Sequence, residues 1–79
     1  MHITVLYFAI LREDRGLAME VVERASATPA ELYEDLRAKH GLSLPLSSLR
    51  VAVNDEFAKM DQPLRDHDSV AFIAPVAGG

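Results

Sequence analysis

Ile3, Val5 and Tyr7 alternate with Thr4, Leu6 and Phe8 at the start of the chain. That period of two, in β-branched and aromatic residues, predicts a first strand. The charged stretch from Leu11 to Gly16 breaks the alternation and reads as irregular chain ending in a turn. Leu17 to Glu23 resumes it, with Ala18, Glu20 and Val22 on one face, so the two strands are expected to form an opening hairpin. The period then changes. Thr28-Pro29-Ala30-Glu31 has the form of a capping box, with Thr28 as N-cap, Pro29 in the first helical position and Glu31 reaching back. Leu32, Tyr33, Leu36 and His40 follow on one helical stripe, and Gly41 stands where a left-handed C-terminal cap is needed. Leu42 to Ser48 is a loop containing a proline, and Leu49 to Val53 is a third strand. Asn54-Asp55 turns the chain into a short strand around Phe57-Ala58-Lys59. Gln62 to Leu64 is extended, Asp66-His67-Asp68 is a turn, and Ser69 to Ala74 is the last strand. The order β-β-α-β-β-β predicts an α+β domain with one helix laid across one sheet. The first and last strands are the most apolar, which places them at the centre as a parallel pair with the helix in the crossover between them.

One helix covers only one side of such a sheet. If Ile3, Val5, Tyr7, Val51, Val53, Val70 and Phe72 face the helix, alternation turns Leu6, Phe8, Ala52, Ala71 and Ile73 outward. Leu6, Phe8 and Ile73 then form a contiguous apolar patch on neighbouring strands. Leaving a Phe, Leu or Ile in water forgoes roughly 1.5–3 kcal/mol each. A patch of this kind on a small domain implies a partner that covers it.

Composition narrows the chemistry. With 79 residues the chain has room for one domain, and a domain of that size buries only about 60% of its unfolded surface. There is no cysteine, which removes disulfides, thiolate metal sites and cysteine nucleophiles, and fits a reducing, cytoplasmic location. The net charge of −4 and pI near 5.2 speak against a nucleic-acid partner. They favour encounter with a basic protein surface. No apolar run approaches the roughly 20 residues of a membrane span, and the opening Met-His-Ile-Thr-Val lacks the basic segment of a secretion signal. His2, His40 and His67 share no metal-ligand spacing. Asp66 and Asp68 read as turn chemistry, and His40 as a residue compensating a helix C-terminus. No nucleophile–base motif or glycine-rich phosphate loop is present, so no metal, no bound cofactor and no independent active site are expected.

The chain closes with Pro75-Val76-Ala77-Gly78-Gly79. Residues 1–74 are expected to form the folded body and 75–79 a flexible tail. Paired glycines resist docking and have the thinnest cross-section a peptide can have, and Pro75 stiffens the exit. Five extended residues reach roughly 17 Å. This suits the threading of a terminal carboxylate into a narrow site on another protein.

Three stretches together resemble a known family. They are Val5-Leu6-Tyr7-Phe8-Ala9 with Arg12-Glu13, Val51-Ala52-Val53-Asn54, and the run from Pro63 through Asp66-His67-Asp68-Ser69-Val70-Ala71-Phe72 to Gly79. The family is the sulfur-carrier, or small, subunits of molybdopterin synthase, and the likeness runs through essentially the whole chain. It implies a ubiquitin-like β-grasp fold, a mixed sheet of about five strands with one main helix on one face. It also implies that an adenylating enzyme related to ubiquitin activators uses ATP to convert the Gly79 carboxylate to an acyl-adenylate. A sulfur-donor protein then displaces AMP to leave a thiocarboxylate. The tail enters the large synthase subunit, in a heterotetramer of two small and two large subunits. There its sulfur attacks a cyclic pyranopterin monophosphate on the way to the dithiolene that holds molybdenum. On this likeness Gly79 carries the sulfur and Gly78 gives clearance. Phe8, Phe57 and Ile73 stand at partner contacts beside Leu6, and Pro75, Val76 and Ala77 form the tail entry. Ile73 replaces what is often an aromatic and Ala74 what is often a proline. A carrier serving thiamin or cysteine synthesis, or a β-grasp interaction module without sulfur chemistry, would share the same outline.

Overall fold

Alternation in the sequence is realised as a single mixed sheet. The structure, a computed structural model, describes residues 1–74. Its elements are β1 (His2–Tyr7), α1 (Ala9–Arg15), β2 (Met19–Glu23), α2 (Pro29–His40), a 3-10 turn (Leu46–Ser48), β3 (Arg50–Val53), β4 (Glu56–Ala58) and β5 (Ser69–Ile73). The five strands lie in the order β2-β1-β5-β3-β4. β1 and β5 are parallel, with Val5 opposite Val70 and Tyr7 opposite Phe72. The other three pairings are antiparallel. The expected parallel contact between first and last strands is therefore present inside the sheet. Asn54 and Asp55 both have positive φ, 52° and 69°, as a two-residue hairpin turn matching the twist of its strands requires.

The caps of α2 form as the sequence predicts. The Glu31 backbone N–H donates to Thr28 Oγ1 at 3.2 Å, and the Thr28 N–H donates to Glu31 Oε1 at 3.0 Å. Gly41, at φ 68°, closes the helix by donating to the Arg37 carbonyl. Leu32, Tyr33 and Leu36 are buried against Ile3, Val5, Tyr7, Val51, Val70 and Phe72. The Tyr33 and Phe72 ring centroids are 5.1 Å apart, and the Tyr33 hydroxyl donates to the Leu44 carbonyl at 2.6 Å. The ring is thus packed while its polar end is satisfied.

One element departs from the sequence reading. The stretch from Leu11 to Gly16, expected to be irregular, lies almost wholly in α1. A helix of seven residues offers no full apolar stripe, and its only buried residue is Leu11. Tertiary contacts hold it instead of propensity. Leu11 joins the core, Asp14 accepts from the Ser43 N–H and hydroxyl at 2.9 and 2.7 Å, and Gly16 terminates the helix at φ 82°.

The turn from β1 into α1 is strained at Ala9, whose φ of 51° is a left-handed conformation in a residue with a Cβ. That conformation costs roughly 1–2 kcal/mol in an L-residue other than glycine. Ala9→Gly is therefore expected to raise the unfolding free energy by up to about 1 kcal/mol, less than the full relief because glycine gains entropy when unfolded. Urea titration of the two chains measures this, and a less stable variant would show that the turn is unstrained.

Candidate functional site

The side of the sheet away from α2 has a defined composition because the register fixes which residues share it. Leu6 pairs with Met19 on one neighbour and with Ala71 on the other. Ala71 pairs with Ala52, and Ala52 with Phe57. The row Met19–Leu6–Ala71–Ala52–Phe57 therefore crosses all five strands on one face. A second row holds Ile73 opposite Arg50. Phe8 extends this second row. It lies just past the end of β1, yet its φ of −130° and ψ of 153° continue the extended geometry, so it stays on the face of Leu6.

Leu6, Phe8, Phe57 and Ile73 are thus brought to the same face. Phe57 is 71% and Phe8 50% exposed, while Leu6, Ile73, Ala52 and Ala71 are half-buried among their neighbours. The face also includes two residues that the sequence reading left out. Met19 and Val21 are 58% and 59% exposed, and they stand opposite Leu6 and Thr4. The signal was available: they alternate with Ala18, Glu20 and Val22, which the sequence places together on the other face. Gly78, Gly79, Pro75, Val76 and Ala77 lie outside the described residues.

On the helix side, a polar cluster fixes α1 against the sheet. Glu20 accepts from Arg15 Nε at 2.8 Å through one oxygen and from the Arg15 terminal nitrogen at 3.0 Å through the other. The Tyr7 hydroxyl donates to the same carboxylate at 2.6 Å. The Arg15 hydrogen bonds hold the Glu20 carboxyl below its ordinary range, against the opposing effect of burial. Burial, reinforced by Glu20, pushes the Tyr7 phenol well above its usual value. The cluster therefore persists as arginine cation, carboxylate and neutral phenol through the neutral range.

Two of the histidines, scattered in sequence, meet in space. The His2 and His67 rings stack with centroids 6.2 Å apart, because the Asp66 carboxylate accepts the His2 backbone N–H at 2.7 Å and the His67 N–H donates to the His2 carbonyl. The turn role expected of Asp68 is seen in its acceptance of the Arg65 N–H at 2.8 Å. Among the described residues no three His, Asp or Glu side chains converge as metal ligands. A cleft of about 660 Å³ is lined by Val53, Asn54, Glu56, Gln62, Pro63, Arg65 and Asp68. Asn54 and Asp68 in it already bond to each other at 2.9 Å.

Comparison with known proteins places this geometry. Residues 5–79 match the model of the ThiS family. The chain is 38% identical to the molybdopterin synthase sulfur carrier subunit of Escherichia coli, covering 98% of this chain and 99% of that one. Among solved structures it resembles a putative molybdopterin converting factor subunit 1 from Pyrococcus furiosus, at 26% identity and a TM-score of 0.78 over 95% of this chain and 98% of that chain. It also resembles a chain in the complex of subunits 1 and 2 of molybdopterin-converting factor from Helicobacter pylori, at 26% identity and a TM-score of 0.69 over the whole of both chains.

The Glu20 cluster has a consequence for stability. A carboxyl held below its ordinary value of 4.5 stabilises the fold above that pH. The contribution is lost as pH falls through the depressed folded value. Glu20→Gln is expected to be less stable than the parent at neutral pH, with the difference shrinking on acidification below about pH 4. Denaturant unfolding across that range measures it, and a difference independent of pH would remove the ion pair from the account of α1.

Proposed function

The chain belongs to the ThiS family, and on that premise we propose that it is the sulfur-carrier subunit of a molybdopterin synthase. The observation that carries this reading is full-length likeness to sulfur carrier subunits of that enzyme, 38% identical in one case, over a fold whose open apolar face suits a partner. The same relatives favour molybdopterin as the product over the thiamin or cysteine routes. A subunit 1–subunit 2 complex among the similar structures supports a large-subunit partner.

In this reading the chain supplies a carried nucleophile and its partners supply the active sites. An adenylating enzyme joins the Gly79 carboxylate to AMP at the expense of ATP, releasing pyrophosphate. The carboxylate is a poor electrophile, and AMP gives it a leaving group. A donor of sulfide-level sulfur adds at the acyl carbon and AMP departs, leaving sulfur in place of one terminal oxygen with no change of oxidation state. The thiocarboxylate then enters the large subunit, two of which assemble with two carriers; its sulfur bonds to the pyranopterin precursor, and water cleaves the acyl–sulfur bond to restore the Gly79 carboxylate. Gly78 and Gly79, without side chains, pass where a bulkier tail would not, and Pro75, Val76 and Ala77 line the entry. Leu6, Phe8, Phe57 and Ile73 hold the body of the carrier against each partner in turn, in the cytoplasm.

Incubation of the purified chain with a cognate adenylating enzyme, ATP and a sulfur donor is expected to exchange one terminal oxygen for sulfur, read by intact mass. Removal of Gly78 and Gly79 is expected to abolish both the exchange and pterin sulfuration. Sulfuration that survives this deletion would leave only an interaction module without sulfur chemistry. Phe8→Asp is expected to weaken large-subunit binding by roughly 10–100-fold, as loss of an aromatic anchor does. Its melting temperature should barely move, since half the ring already meets water. Collapse of the isolated fold would place Phe8 in the core instead.

A further inference from the structure

Resting on that reading, we propose that Arg50 is a specificity determinant of the docking face, placed to receive a carboxylate of the synthase large subunit. Arg50 is exposed and stands in β3 opposite Ile73 of β5. Its guanidinium carbon lies 5.9 Å from the centroid of the Phe57 ring. The cation is thus flanked by two of the apolar residues expected to meet the partner, and the aromatic face holds it along the sheet. The register makes it the only lysine or arginine among the strand residues of the open face, where Ile73 stands opposite it and Ala52 and Ala71 lie in the adjoining row. Ion pairs among the described residues engage Arg15, Arg24, His2 and His67, and none engages Arg50.

A partner that seals over Ile73 and Phe57 must take the guanidinium out of water. Burying a charge between apolar groups is unfavourable unless an opposite charge with hydrogen-bonding geometry meets it. The planar guanidinium suits a carboxylate, which it can bind through two parallel hydrogen bonds. The sign carries information as well. The chain as a whole is at −4, so a generally basic partner surface is attracted at long range. A uniformly basic surface would nevertheless repel Arg50 on contact. One acidic residue set in the basic or apolar surface of the large subunit satisfies both requirements. It also permits a single register of the carrier, with the tail directed one way.

The test is calorimetric titration of the large subunit with the full-length chain and its Arg50→Met, Arg50→Lys and Arg50→Glu variants, at low and high salt. Arg50→Met keeps the apolar stem and is expected to bind about 30-fold more weakly, and Arg50→Glu at least about 100-fold more weakly. Arg50→Lys should recover part of the loss. The fall in affinity with added salt should be shallower for Arg50→Met than for the parent. Replacing acidic surface residues of the large subunit by arginine, one at a time, should restore Arg50→Glu binding at a single position. Affinities of Arg50→Met and Arg50→Glu within twofold of the parent would overturn the proposal, as would losses confined to the adenylating enzyme. A parent chain that fails to bind the large subunit at all would overturn the functional reading itself.

Discussion

β1 and β5 run side by side and parallel inside the sheet, and a parallel pair cannot be closed by a tight turn. The chain between them must cross over one face of the sheet, and the crossover carries α2 with it. Leu32, Tyr33 and Leu36 fill that side and bury Ile3, Val5, Tyr7, Val70 and Phe72 almost completely. Among the described residues no helix remains for the opposite side. Its centre is nearly flat, because Ala71 and Ala52 are adjacent there, and the larger Met19, Leu6 and Phe57 stand around them. The result is a shallow apolar dish with bulky residues at two edges. It is well shaped to receive another protein and too open to enclose a small molecule.

The corner at the end of β1 connects this dish to the core. Phe8 finishes the strand on the open side, Ala9 reverses the chain in a left-handed conformation, and Leu11 plunges into the core two residues later. Arg15, at the far end of α1, is tied to Glu20 and through it to Tyr7. The exposed ring of Phe8 is therefore mounted on a segment anchored at both ends. An anchor held in place before encounter costs less entropy to bind. A small fold can thus present a rigid contact surface.

Much of this was legible in the sequence, for identifiable reasons. The capping box at Thr28, the cap at Gly41 and the two-residue turn at Asn54-Asp55 are local devices written in adjacent residues. The two faces of β1, β3 and β5 followed from strict alternation. What escaped was governed by contacts distant in sequence. α1 has one buried residue and no apolar period, so its helicity depends on Glu20 and Ser43. The left-handed φ of Ala9 has no signature in residue type. The meeting of His2 with His67 needs the fold to bring the N-terminus to the turn before β5. Met19 and Val21 share a face by alternation, but which face of β2 turns to the helix is set by its pairing with β1. The roles expected of Gly78 and Gly79 rest on the slimness of paired glycines and on family resemblance, and both lie outside the described residues.

The claim that a partner covers the open face, and not the helix side, can be tested residue by residue. Amide chemical shifts of the isotopically labelled chain, recorded alone and with the synthase large subunit, report where contact occurs. The largest changes should fall on Leu6, Phe8, Met19, Ala52, Phe57, Ala71 and Ile73, with the outer surface of α2 at Glu34, Asp35 and Ala38 unchanged. Changes concentrated on α2 while the β-sheet row stays silent would contradict the account.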